Sequence, residues 1–99
     1  MASYTVVYAA HKTLSTTVVD TITIARHVNS IDIINRSGGN PLYVTWAPGT
    51  TVPADPVAGA VDVDVIPTGM ILSLDVPTGP VVVKVVGSAN DYSVVGRSN

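Results

Sequence analysis

Ninety-nine residues with 12% charged side chains and a net charge of −2 make one domain. They lack the basic patch of a nucleic-acid binder. The absence of cysteine rules out disulfides, thiolate chemistry and a cysteine-based zinc site. Val, Ile and Thr number 19, 7 and 11, against four Leu and no Glu or Gln, so strand formers outweigh helix formers. An all-β fold is expected over residues 1–99.

Residues 1–12, MASYTVVYAAHK, carry no basic segment followed by a long apolar run, so no signal peptide is expected. Residues 4–9 read as a first strand, free to pair within the domain or to extend to a neighbour. His11-Lys12-Thr13 reads as a connector. Residues 16–25 form a second strand, with Val18, Ile22 and Ile24 on one face. Asp20 falls on the apolar parity, which predicts a bulge or a solvated strand end there. Residues 26–30 read as a turn.

The sequence IDIINRSGGNPLYVTW, residues 31–46, organises the chain as a predicted hairpin. Ile31 and Ile33 alternate with Asp32. Leu42, Val44 and Trp46 alternate with Tyr43 and Thr45. Gly38-Gly39 supplies the positive φ of a reversing loop. Pro41, which cannot donate to a ladder, opens the next strand. Trp46, the sole tryptophan, is expected to be largely buried beside Leu42 and Val44.

Residues 47–59, APGTTVPADPVAG, hold three prolines and no periodicity. Loops of this length are functional or disordered, and prolines stiffen them. This is the expected contact surface. Strands then follow over 60–66, 70–76, 80–86 and 91–96. Val61, Val63 and Val65 face the core in the first of these. Val81, Val83 and Val85 face it in the third. Val82 and Val86 lie on a second face that a lone domain leaves half open. Pro67-Thr68-Gly69 and Pro77-Thr78-Gly79 read as tight turns. The longest aliphatic run, 81–86, is broken by Lys84, so no membrane span is expected. About eight strands with turns every 8–12 residues predict an antiparallel β-sandwich or jelly-roll-like domain. A small β-barrel is the alternative.

Chemistry-bearing residues are few. Asp62 and Asp64 share one side of a strand, about 7 Å apart. A calcium site needs six to eight oxygens, and nothing nearby completes one, so a solvated face is expected and no metal. His11 and His27 are the only imidazoles, and no GxSxG nucleophile elbow accompanies them. Gly38-Gly39 lacks the Lys-Ser/Thr and the helix of a phosphate loop. No catalytic residue and no cofactor are expected.

The strand ending Asn35-Arg36-Ser37-Gly38, then Tyr43, a Pro/Thr loop, Pro67, the run Val82-Val83-Lys84-Val85-Val86, Ser88 and Tyr92-Ser93-Val94 form a pattern over residues 17–96. It resembles small β-rich virion proteins of tailed phages of actinobacteria. The resemblance implies a non-enzymatic structural protein made in the bacterial cytoplasm. Its expected place is the capsid surface, as a decoration protein clamping subunits of the major capsid protein. The alternatives are a minor tail or neck component and a carbohydrate-binding β-sandwich. Self-association, as a trimer, is expected, with no nucleic-acid or membrane partner. The interface is expected at Tyr4, Val6 and Tyr8 of residues 1–15, and at Pro48, Thr50, Val52, Pro53, Asp55 and Pro56 of the long loop.

Overall fold

The computed structural model describes residues 5–15, 18–57, 60 and 62–98. Tyr4, Val61 and the end of the long loop at Gly59 lie outside them. The protein is all-β. Its strands are β1 (Thr5–Thr13), β2 (Asp20–Ser37), β3 (Leu42–Pro48), β4 (Asp64–Ile66), β5 (Ile71–Val86) and β6 (Asp91–Ser98). They form one antiparallel sheet in the order β1-β6-β2-β5-β3-β4.

The described residues hold six strands where about eight were expected, because two expected turns are bends within continuous strands. A straight strand the length of β2 would span roughly 56 Å. The longest dimension of the molecule is 38 Å, so β2 bends. Its register with β5 shifts between Ile24 and Val28 and again between Val28 and Ser30. The buried positions change parity across that point: Ile22 and Ile24 before it, Ile31 and Ile33 after it. Three residues of β2 (25–27) face Pro80 of β5, then Asn29 alone faces 76–78, and across these facing bulges the side chains that follow turn to the other face. The partner strand switches in the same place. Leu72 and Leu74 pack on the core before Pro77-Thr78-Gly79, and Val81, Val83 and Val85 after it. Only Pro67-Thr68-Gly69 is a true turn, closed by the Met70 amide donating to the Pro67 carbonyl at 3.1 Å.

Bending folds the sheet over a single core. Tyr92 on β6 reaches the start of β2, where its hydroxyl donates to Asp20 at 2.9 Å. A methyl group on Gly96 would lie 2.9 Å from Val28, so glycine there permits the close approach of β6 to the bend. Asp20 therefore opens β2, half-buried, and the bulge lies further along.

The hairpin predicted from residues 31–46 does not form. β5 lies between β2 and β3 and pairs with both. The link between them does use positive φ, at Gly38 and Gly39. Its carbonyl at Asn40 is anchored by buried asparagines. Asn35 donates to it at 2.9 Å and Asn90 at 2.6 Å. Asn35 also donates to the Ile66 carbonyl at 2.9 Å and accepts from Asn90 at 3.0 Å. The backbone of Asn35 pairs with Met70 and Gly69. This network joins the ends of β2, β4 and the turn before β6, and the link follows it instead of reversing onto β2.

Further corrections concern single residues. His11-Lys12-Thr13 belongs to β1. Trp46 is half-buried at the margin of the core, while Leu42 and Val44 are fully buried. β4 is short, and its buried residue is Ile66, which sets Asp64 on the core parity and leaves Val65 exposed. Val82 is buried within the chain while Val86 is half-buried, so the face they share is covered at Val82 and stays partly open at Val86.

Candidate interaction surface

The cover of that face is the long irregular segment after β3. Residues 49–57 fold back over β3 and β5 and are fastened at several points. The Gly49 amide donates to the Pro80 carbonyl at 2.7 Å. Thr45, buried on the outer face of β3, donates through Oγ1 to the Ala54 carbonyl at 2.5 Å. Lys84 of β5 pairs with Asp55 at 2.6 Å. Pro56 is buried. Val52 and Val57, by contrast, stand 63% and 62% exposed. Fastened backbone and outward valines make a stiff, apolar surface.

A cavity of about 440 Å³ opens between this segment and the sheet, lined by Tyr43, Val86, Pro56, Val57, Pro41 and the 87–88 turn. The pairing of Tyr43 with Val86 builds its floor. That register is invisible in the sequence, because it follows from β5 inserting beside β3. The part of Val57 was open to inference from its place in the Pro-rich segment.

The expected interface residues separate into distinct settings. Val6, on the edge strand β1, is exposed, and Tyr8 packs against the core. β1 pairs with β6 on one side and is the outermost strand of the sheet on the other. Pro48, Thr50, Val52 and Asp55 are exposed, Pro53 is half-buried and Pro56 turns inward. Pro56 therefore supports the surface from below, a correction to its expected role as a contact. Asp62 and Asp64 are both exposed, and line a second cavity together with Trp46 and Pro53.

One histidine finds a serine. His11 Nδ1 lies 2.6 Å from Ser93 Oγ, across a directly paired position of β1 and β6. The neighbouring carboxylate, Asp91, is engaged elsewhere: it accepts from Thr13 at 2.5 Å and from Ser37 at 2.8 Å. Ser93 is almost wholly buried within the ladder. The three residues share a face without the Ser-His-Asp order that passes a proton. His27 is exposed in the bend of β2.

The hydroxyls of Thr13 and Ser37, and then Arg36, hold the Asp91 carboxyl below the usual carboxylate range. A depressed folded pKa gives stabilisation that is complete above the unfolded value and is lost as pH falls through the folded one. Asp91→Asn is therefore expected to flatten the acid limb of the melting temperature against pH, below about pH 4, and to leave its shape near neutrality unchanged. An acid limb identical to that of the parent protein would contradict this.

No family model, no curated protein and no solved structure matches the chain.

Proposed function

We propose that the protein is a non-enzymatic structural component of a tailed-phage virion that binds the outside of the head and reinforces contacts between capsid subunits. The observation that carries this reading is the fastened segment 49–57, which presents Val52 and Val57 to solvent from a backbone held by Thr45, Lys84 and Pro80. A surface already ordered loses little conformational entropy when it docks. The resemblance of residues 17–96 to small virion proteins supports the same role. The partners are then the major capsid protein and further copies of the chain, associated as a trimer, with the outer edge of β1 available to a neighbouring strand. Several linked contacts would raise avidity beyond that of one small domain.

Binding through valines depends little on ionic strength, since few charges are screened. Association with purified capsids is expected to persist in high salt. Val52→Asp with Val57→Asp is expected to weaken it at least tenfold while the melting temperature stays close to that of the parent, because both side chains are exposed. Co-sedimentation with capsids checks both. Undiminished binding by the double variant, or binding only to purified tails, would refute the reading.

A further inference from the structure

The second cavity has a composition that the capsid reading does not use. It measures about 310 Å³ and is lined by Thr45, Trp46 and Ala47 on β3 and by Pro53, Ala54, Asp62 and Asp64 opposite. The topology explains how it arises. β4 pairs with β3 only from Leu42↔Ile66 to Val44↔Asp64. Before Asp64 the chain leaves the ladder, and β3 continues through Thr45, Trp46 and Ala47 with β5 on one side and no strand partner on the other among the described residues. A wedge opens between the two, with an indole and two carboxylates around it.

From this arrangement we infer that the cavity is a binding site for an organic cation, an ammonium or guanidinium group held between Trp46 and the carboxylates of Asp62 and Asp64. No lining residue is basic. Among the described residues the ion pairs are Lys84–Asp55 and Arg97–Asp32, so neither Asp62 nor Asp64 has a cationic partner there. Two carboxylates lining one site favour a ligand that brings positive charge. An indole adds attraction for a cation over its face. Guanidinium groups bond carboxylates with charge-assisted, two-point geometry. A divalent metal fits less well, because it demands more oxygen ligands than two carboxylates supply, and no group of three or more His, Cys, Asp or Glu side chains gathers among the described residues. The volume is at the small end of ligand cavities, with room for a whole small amine or an extended arginine side chain and not only its head group. This inference is independent of the virion reading.

Trp46 is the sole tryptophan, so intrinsic fluorescence of the full chain reports on the site directly. Titration at constant ionic strength with agmatine and with the blocked peptide N-acetyl-Ala-Arg-Ala-amide is expected to give a saturable change in emission. Asp62→Asn with Asp64→Asn is expected to raise the half-saturating concentration at least tenfold. Asp75→Asn, an exposed carboxylate on the distant half of β5, is expected to leave it unchanged. Tighter binding of the peptide identifies the ligand as a side chain of a partner protein. Tighter binding of agmatine identifies a free amine. Calcium chloride and methyl glucoside serve as competitors of different chemistry. The inference is overturned if neither cation saturates, if the double variant responds like the parent, or if calcium or the sugar saturates where the cations do not. Circular dichroism of the variants confirms that each remains folded.

Discussion

Tyr92→Ala is expected to lower the stability of the domain by about 4 kcal/mol, as large aromatic truncations in cores do. For a chain of this size that corresponds to a fall in melting temperature of roughly 15–30 °C. Among the described residues Tyr92 is the largest fully buried side chain. It sits on β6 opposite Asn35, and its hydroxyl crosses to Asp20 at the beginning of β2. It therefore joins the two ends of the strand whose bend folds the sheet. Burial, reinforced by the bond to Asp20, pushes the phenol well above its ordinary range, so the group stays neutral and donates throughout the accessible pH range. Tyr92→Phe keeps the ring and loses only the donor, which predicts a loss of about 1 kcal/mol. Chemical denaturation of the two variants checks the difference. A loss below 1 kcal/mol for Tyr92→Ala would contradict the assignment of Tyr92 to the centre of the core.

Asn35→Ala is expected to cost about 3 kcal/mol, more than the removal of one ordinary hydrogen bond. The side chain is fully buried and serves both carbonyls of Asn40 and Ile66 while accepting from Asn90. Its removal takes the side-chain donor from the Ile66 carbonyl and the acceptor from the buried Asn90 amide, while the Asn40 carbonyl keeps Asn90 and Thr68. Asn35→Asp is expected to destabilise comparably, because a buried carboxylate cannot donate to two carbonyls. The network also constrains Gly38, where φ is +124° and an added Cβ would lie 2.9 Å from the Asn90 backbone. Gly38→Ala should therefore share the same defect. Equilibrium unfolding measures all three, and variants as stable as the parent would refute the role given to the asparagines.

The all-β character was legible from composition alone, since Val, Ile and Thr dominate and Glu and Gln are missing. Local alternation located the core faces at Leu42/Val44 and at Val81/Val83/Val85, and the structure buries all five. Alternation misled at β4, where Val65 was expected to face inward but is exposed and Ile66 is the buried residue of the strand. Continuity was also hidden. Residues 26–30 and 77–79 carry turn-like composition, and a pair of facing bulges uses the same residues as a pair of turns. Only the pairing of Val28 with Gly79 distinguishes them. The partner of β3 could not be read either, because insertion of β5 beside it is a choice among non-local pairings, decided by the buried asparagines and the shared core. For the candidate surface, the Pro-rich composition identified the segment. The division into anchors (Thr45, Lys84, Pro56) and outward valines rests on tertiary contacts. That Trp46 shares a cavity with Asp62 and Asp64 depends on β4 beginning only at Asp64, a feature no local pattern records.

The role proposed for the chain is tested most directly by electron cryo-microscopy of the intact virions in which that proposal places it. The account predicts density for the domain on the outer surface of the head, in copies related by the capsid symmetry, with Val52 and Val57 against the major capsid protein. Density confined to the tail or neck, or heads bare of the protein and equally resistant to heat, would contradict it.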